Sequence, residues 1–97
     1  MPGFVIFYPM SSPPSIIDGA PVLLWAWAGD QPFGMSGPDE VFGFAICQYE
    51  SGRIYRFSCD QDWKTVNDSP YDSLEDAQAT IPLNYIASAN RIKWHGL

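Results

Sequence analysis

The sequence predicts a small α+β domain: mainly an antiparallel sheet of four to five strands, with one short helix packed on it in the order β-β-β-β-α-β. Residues 41–63 hold two apolar, β-branched and aromatic runs separated by a turn that contains glycine, a pattern typical of a β-hairpin. Hydrophobic residues make up 46% of the chain and charged residues only 16%, which argues against disorder. A length of 97 residues supports one core, so residues 1–97 are predicted to form a single domain.

Two strands are predicted before this hairpin. Residues 3–8 are apolar throughout and indicate a short buried strand. A proline-rich loop separates them from residues 22–28, the second predicted strand, because proline lacks the backbone N–H that a sheet needs. Side chains alternate along a strand, so Leu23, Trp25 and Trp27 are predicted to share one face, with both tryptophans in the core or partly buried.

Residues 29–40 contain three glycines and two prolines and are predicted to form a long loop. Phe33 and Met35 are apolar side chains within this segment. Such side chains either hold a loop against the core or contact a partner. We expect both residues to hold the loop against the core.

The turn of the hairpin is predicted to centre on Ser51-Gly52, since glycine adopts the positive φ of a tight turn without steric cost. In that register Cys47 and Cys59 fall on opposite faces of the hairpin. A disulfide needs Cα atoms within about 7 Å, so both cysteines are predicted to be free thiols. The bulkier face is predicted to be the core face, and it carries Phe44, Ile46, Gln48, Tyr55, Phe57 and Cys59.

The strand pattern fades over residues 64–70, and a helix is predicted to begin shortly after them. Ser73 is a favourable N-cap, the next turn carries two acidic residues at the positive end of the helix dipole, and Pro82 ends the helix after about two turns. The spacing of residues 84–90 fits either a short helix or an irregular link. Residues 91–95 alternate in polarity and predict a final strand.

The chain carries a net charge of −6, and its acidic residues are concentrated between residues 60 and 76. Binding to nucleic-acid phosphates needs a basic surface, which this composition does not supply. No apolar run approaches the roughly 20 residues of a membrane-spanning helix, and the N-terminal sequence lacks the positive segment of a signal peptide. The composition therefore predicts a cytoplasmic protein without nucleic-acid or membrane contacts, for which a basic protein is the expected partner.

No catalytic or cofactor-binding motif occurs in the sequence. Asp60 and Asp62 form a D-x-D pair whose carboxylates could bind a divalent cation or act as acid and base, but no spacing marks further ligands. His95 is the only histidine, and neither cysteine lies near a run of cations that would activate a thiol. We therefore predict that the protein is not an enzyme and uses no metal or cofactor.

In size, charge and lack of catalytic motifs, the chain resembles the small acidic β-rich immunity proteins that neutralise bacterial toxins. This resemblance implies an inhibitor that occludes a basic partner, and it assigns no individual residues. Aromatic rings beside carboxylates suit such a surface, because charge steers association and rings supply affinity. Solubility is the alternative role for the acidic charge. The predicted contact comprises Asp60, Asp62, Trp63, Asp68, Tyr71, Asp72 and Glu75.

Two other functions remain open on sequence alone. A small ligand-binding protein or enzyme would need a pocket, which is predicted between the sheet and the 29–40 loop, near Trp25, Phe33 and His95. A homo-oligomeric structural domain would instead bury an aromatic sheet face between copies of the chain. The position of the aromatic side chains in the fold bears on both alternatives.

Overall fold

The computed structural model describes residues 11–97, so the strand predicted for residues 3–8 lies outside the described part of the chain. The described residues form an antiparallel sheet with one short α-helix, which confirms the predicted α+β class. In chain order the elements are β1 (Ile16–Ile17), β2 (Ala20–Trp27), β3 (Gly34–Ser36), β4 (Asp39–Val41), β5 (Gly43–Gln48), β6 (Ile54–Cys59), β7 (Thr65–Tyr71), α1 (Leu74–Ala79), a 3₁₀ helix (Leu83–Arg91) and β8 (His95–Gly96).

The main sheet has the strand order β1-β2-β5-β6-β7, with β8 also paired to β2. All of these pairings are antiparallel. β3 and β4, which lie between β2 and β5 in the sequence, form a separate two-stranded sheet. The α-helix follows β7, in the position along the chain that the sequence predicts.

The β5–β6 hairpin forms as predicted, but its register differs by one residue. The loop has three residues rather than two, because the N–H of Tyr49 donates to the carbonyl of Arg53 at 2.8 Å. Gly52 has the predicted positive φ, 94°, and its N–H donates to the carbonyl of Tyr49 at 2.8 Å. This is the three-residue hairpin in which a glycine in the left-handed region follows a type I turn.

The shifted register changes which side chains of β6 share a face with which side chains of β5. Cys47 now pairs with Tyr55 and Cys59 with Gly43, so the two cysteines share one face, contrary to the prediction. The cross-strand pairs that contain the two cysteines are four positions apart, so the cysteines are separated by about 13 Å along the strands. Both are buried free thiols, as the sequence predicts.

The prediction of a single core face is also wrong, because the centre of the sheet is buried on both sides. One face, here called the tryptophan face, carries the buried residues Ile17, Ala20, Val22, Trp25, Ala45, Cys47, Phe57, Cys59 and Trp63. The other face, here called the helix face, packs with Ala26, Phe33, Val41, Phe44 and Tyr85. Each face therefore has its own apolar cluster.

A bulge in β2 explains why Val22 and Trp25 share the tryptophan face although they are three residues apart. Val22 pairs with Cys47 and Leu24 with Ile46, which leaves Leu23 as the extra residue of the bulge. Leu23 is exposed and does not continue the row of Trp25 as predicted. The predicted burial of the tryptophans is confirmed, because Trp25 is buried and Trp27 is half-buried.

The 29–40 segment is more ordered than the predicted loop, since it contains β3 and β4. Phe33 is 2% exposed and stacks on Phe44 with ring centroids 4.9 Å apart, so it holds the segment against the core as expected. Met35 is exposed, contrary to that expectation. Gly34 lies so close to the 3₁₀ helix that an added Cβ would collide with the carbonyl oxygen of Asn84.

β7 occupies residues predicted to lack strand structure. Its sequence TVNDSPY is polar and contains Pro70, which disfavours a central strand. β7 ends the strand order of the described sheet, so β6 is its only partner strand there and the missing N–H of Pro70 is tolerated. The pairing with β6 thus overrides a weak local propensity.

The start of α1 is as predicted. The Oγ of Ser73 accepts a hydrogen bond from the N–H of Asp76 at 3.0 Å, which is the N-cap interaction. The segment 84–90, which fits two structures on sequence alone, lies within the 3₁₀ helix. The predicted final strand is reduced to the two residues of β8.

Two arginines fasten the elements that cover the helix face. Arg56 is 4% exposed, and its Nη1 donates to the carbonyls of Ala77, at 2.8 Å, and Thr80 at the end of α1. Those carbonyls form the negative end of the helix dipole. Burial lowers the pKa of Arg56 from its usual value because desolvation disfavours the charged guanidinium. Arg91 donates to the carbonyls of Ala28, Gln31 and Pro32 and to the Oγ of Ser88.

Candidate functional site

Two turns of the same geometry close the two ends of β6. In the first, here called turn 49–53, the N–H of Tyr49 donates to the carbonyl of Arg53. In the second, turn 60–64, the N–H of Asp60 donates to the carbonyl of Lys64 at 2.9 Å, and the N–H of Trp63 to the carbonyl of Asp60 at 3.1 Å. Each turn carries one of the two concave sites described below.

The first concave site, here called the acidic site, gathers four carboxylates. Asp60 and Asp62 come from turn 60–64, and Asp39 and Glu40 come from β4. Phe42 and Gln61 complete a small cavity of about 160 Å³. Like charges at such a site raise the local negative potential and attract a cation.

The backbone of turn 60–64 fixes the position of these acids. The Oδ1 of Asp60 accepts from the N–H of Asp62 and from the N–H of Lys64, both at 2.9 Å. An aspartate that bonds the backbone two residues on is a typical turn former. Asp62 is exposed at the tip of the turn, and Asp39 and Glu40 are exposed opposite it.

Trp63 directly follows Asp62 of the acidic site, and its buried side chain anchors turn 60–64 in the core. Its φ is 61°, a left-handed conformation that is uncommon for a bulky residue. The ring packs against Trp27, with centroids 5.4 Å apart, and edge-on to Trp25 at 6.2 Å. The Nε1 of Trp63 donates to the Oγ of Ser11 at 3.1 Å. A Cβ added at Gly43 would lie 2.6 Å from the Trp63 ring, so only glycine allows this approach.

The surface is more acidic than the net charge alone implies. Two of the five basic side chains, Arg56 and Arg91, donate to backbone carbonyls inside the fold. The exposed cations are Arg53, Lys64 and Lys93, whereas ten of the eleven acidic residues are exposed and Asp60 is half-buried. The surface of the described residues therefore carries little positive charge to compensate its carboxylates.

The second concave site, here called the aromatic pocket, lies at turn 49–53. It has a volume of about 540 Å³. It is lined by Asp18, Tyr49, Ser51, Arg53, Tyr55, Phe57 and Asp68. Unlike the acidic site, it combines aromatic rings with charges of both signs.

The hydroxyl of Tyr49 donates a hydrogen bond to the Oδ2 of Asp18 at the rim of this pocket. That hydrogen bond is the main reason why the pKa of Tyr49 is raised to about 12. Because the phenol keeps its proton, it remains a hydrogen-bond donor throughout the physiological pH range. The bond also joins the β1–β2 turn to the β5–β6 hairpin.

Neither cysteine is suited to nucleophilic chemistry. Burial raises the pKa of Cys47 to about 12, with a smaller contribution from Asp18. Burial also raises the pKa of Cys59 to about 12, although a hydrogen bond to Thr65 opposes the shift. A thiol that stays protonated is a poor nucleophile and a poor metal ligand.

The residues of the predicted contact do not form one patch. Asp60 and Asp62 lie in the acidic site, and Asp68 lies in the aromatic pocket. Trp63 is 7% exposed in the core, so it is not available to a partner. The other three lie near the start of α1, at the far end of β7, about 20 Å from turn 60–64 at the rise of a strand. These are Tyr71, Asp72 and Glu75.

Tyr71 also has a role within the fold. The guanidinium carbon of Arg56 lies 4.9 Å from the centroid of the Tyr71 ring. Such a distance is typical of a cation–π interaction, which helps to stabilise a buried arginine. Asp72 and Glu75 are exposed.

The pocket predicted beside the 29–40 segment does not have the predicted lining. Trp25 belongs to the tryptophan face and packs against His95 with ring centroids 4.7 Å apart, whereas Phe33 is buried on the helix face. Because the sheet separates them, these residues cannot line one pocket. The acidic site does involve β4, and the sequence signal for it was the acidic pair Asp39-Glu40 in a segment predicted to be a loop.

Three further observations concern features that the sequence analysis considered. Within residues 11–97, no group of three or more histidine, cysteine, aspartate or glutamate side chains is placed to hold a metal ion. The part of the chain that the structure describes also contains no helix long and apolar enough to cross a membrane. The aromatic rings that suggested a homo-oligomer, such as Trp25 and Phe44, are buried within one chain.

No protein-family model, no curated protein and no solved structure matches this chain. The geometry and charge of the two concave sites therefore provide the only indications of function in the described residues.

Proposed function

We propose that the protein is a small acidic binding module that associates with a basic protein and occludes its charged surface, as an inhibitor or immunity-type protein does. The observation that carries the proposal is the acidic site, where carboxylates from β4 and from turn 60–64 meet in one concavity. A cavity of about 160 Å³ is too small for most organic ligands and suits a single lysine or arginine side chain.

The charge distribution supports the same function. Arg56 and Arg91 donate to carbonyls within the fold, so the negative charge on the surface is poorly compensated. Uncompensated charge steers an oppositely charged protein and accelerates association. Cys47 and Cys59 are free thiols, which fits a location in the cytoplasm, where thiols stay reduced.

The test is affinity capture of the tagged protein from its native cell extract at low and at high salt. We expect one basic protein in stoichiometric amount, released as salt rises, because salt screens exposed charges. Association with that protein is then measured for a variant in which the acidic site is neutralised: Asp39→Asn, Glu40→Gln, Asp60→Asn and Asp62→Asn. The association rate at low salt should fall about tenfold or more.

A charge-matched control separates the acidic site from net charge. The variant with Glu50→Gln, Asp72→Asn, Glu75→Gln and Asp76→Asn also loses four negative charges, all of them at exposed residues outside the acidic site. Its association rate should remain within about threefold of the parent, because nearby charges dominate steering. An equal loss in both variants would overturn the assignment of the contact to the acidic site.

A further inference from the structure

The aromatic pocket lies inside the curl of the sheet. The strand order β1-β2-β5-β6-β7 has β1 at one end and β7 at the other. Asp18 directly follows β1, and Asp68 lies in β7. Both residues nevertheless line the same pocket, so the sheet curves until its ends face each other at turn 49–53. The mouth of a partly closed sheet is a common position for small-molecule sites.

The floor and walls of the pocket are aromatic. Phe57 is 1% exposed, and its ring stacks on that of Tyr55, with centroids 6.2 Å apart and planes inclined by 23°. The Tyr49 ring stands edge-on to Tyr55, with centroids 5.6 Å apart. Rings of this kind favour a planar apolar group, which they contact by stacking or edge-to-face packing.

The rim carries charges of both signs. Arg53 supplies a guanidinium from turn 49–53, and Asp18 and Asp68 supply carboxylates from the two ends of the sheet. A purely cationic ligand would be attracted by the aspartates and repelled by Arg53, and a purely anionic ligand would meet the reverse. A ligand that carries both a cationic and an anionic group, such as an ammonium and a carboxylate, satisfies both signs at once.

We propose that the aromatic pocket binds a small zwitterion with an aromatic side chain, that is, a free aromatic amino acid or a residue in a very short peptide. The carboxylate of the ligand pairs with Arg53, its ammonium group with Asp68 and Asp18, and its ring contacts Tyr49 and Tyr55, which are only partly buried. The volume of about 540 Å³ lies within the range of about 300–1,000 Å³ that is usual for small-molecule pockets. This site is separate from the acidic site, so the proposal does not depend on the proposed function.

The experiment uses three probes that share an indole ring and differ in charge: L-tryptophan, tryptamine and indole-3-propionate. Each is titrated into the full chain up to millimolar concentration, and backbone amide shifts are followed by NMR. We expect saturable shifts at Ser51, Arg53 and Tyr55, with L-tryptophan bound about tenfold more tightly than tryptamine or indole-3-propionate, since each lacks one charge-assisted hydrogen bond.

Two single variants assign the charges. Arg53→Gln should weaken L-tryptophan about tenfold and leave tryptamine unchanged or tighter, and Asp68→Asn should weaken L-tryptophan and tryptamine alike. Both side chains are exposed, so we expect the variants to fold. Lys64→Gln and Asp62→Asn are controls with the same charge changes at turn 60–64, and they should leave the affinity for L-tryptophan unchanged.

The proposal is overturned by any of three results: no saturable shift at these residues with any probe, equal affinity for the three probes, or Arg53→Gln binding L-tryptophan as tightly as the parent. Because the acidic site is untouched in the Arg53 and Asp68 variants, failure here leaves capture of a basic protein unaffected. Failure of that capture likewise leaves the titration unaffected.

Discussion

Turns 49–53 and 60–64 close the two ends of β6 with the same pair of backbone hydrogen bonds, yet different residues occupy the left-handed position. In turn 49–53 that residue is Gly52, with φ of 94° and no atom near the place of an added Cβ. In turn 60–64 it is Trp63, with φ of 61° and a ring packed in the core. The first turn depends on a local property of glycine, and the second on contacts made across the fold.

The difference teaches that tertiary packing can replace a local conformational preference. A left-handed conformation costs an L-residue about 1–2 kcal/mol, a cost that glycine avoids. Burial of a large aromatic ring contributes more than this, on the order of 3–5 kcal/mol by the usual cost of truncating it. The backbone of turn 60–64 is therefore stable although its sequence, DQDWK, contains no glycine.

The largest expected effect comes from removing the Trp63 ring. Trp63→Ala should lower the free energy of unfolding by about 3–5 kcal/mol, because it leaves a cavity between Trp25, Trp27 and Gly43. Trp63→Gly should be the more stable of the two truncations, by about 1 kcal/mol, because glycine tolerates the positive φ. Chemical denaturation of both variants measures the two values.

Gly52→Ala is the matched control at the other turn. Nothing lies within 4 Å of the added Cβ, so its cost, about 1–2 kcal/mol, should be that of the backbone alone. If Trp63→Ala proved as stable as Trp63→Gly while Gly52→Ala showed this cost, positive φ would not be a source of strain in turn 60–64.

A smaller effect is expected from Gly43→Ala, which tests how the ring is accommodated. The added Cβ would lie 2.6 Å from the Trp63 ring, so the substitution should cost about 1–3 kcal/mol. In a Trp63→Ala background, Gly43→Ala should lower the free energy of unfolding by much less. The double variant should therefore be more stable than the sum of the two single costs implies, which a double-mutant cycle measures.

Gly34→Ala serves as the control for this cycle. Its added Cβ would collide with the backbone carbonyl of Asn84 on the helix face, which truncation of Trp63 does not relieve. The costs of Gly34→Ala and Trp63→Ala should therefore add. Additive costs for Gly43→Ala and Trp63→Ala as well would show that the ring is not what excludes a side chain at position 43.

The last effect, a loss of stability that is absent below pH 9, concerns the buried thiols beside the two turns, Cys47 and Cys59. In the unfolded chain a thiol has a pKa near 9, whereas in the folded protein the pKa of each is raised to about 12. Between these values the unfolded state binds fewer protons than the folded state, so the free energy of unfolding should fall as pH rises from about 9 towards 12. Below pH 9 this contribution is present in full.

Denaturant unfolding at several alkaline pH values measures how steeply the free energy of unfolding falls with pH. This fall should be shallower in the double variant Cys47→Ala, Cys59→Ala. A thiol reagent near neutral pH should leave the native protein unmodified and label both cysteines after denaturation. Rapid labelling of the native protein would contradict the burial of the thiols.

The sequence predicted several elements because their signals are local. Ser73 caps α1 through the N–H of Asp76 three residues later, and Gly52 takes a positive φ within its own turn. In contrast, β7 was not predicted, because its polar sequence becomes a strand only through pairing with β6. The register of the β5–β6 hairpin was missed by one residue, since two- and three-residue turns containing glycine are hard to distinguish by pattern.

The candidate sites show the same limit. The D-x-D pair of Asp60 and Asp62 was visible in the sequence, but its association with Asp39 and Glu40 was not, because these acids lie about twenty residues earlier in the chain. The aromatic pocket was missed as well, since Asp18 and Asp68 meet there only when the sheet curls. Trp63 was assigned to the surface although its ring is in the core.

By itself, the sequence determined the α+β class, the hairpin at residues 41–63, the cap of α1 and the excess of acidic charge. These follow from composition and from interactions within a few residues. Only the tertiary structure decided which face each strand residue occupies, that Trp63 takes a left-handed conformation, and which charges converge at each end of β6. Those features depend on contacts between residues far apart in the chain, whose energy no local pattern records.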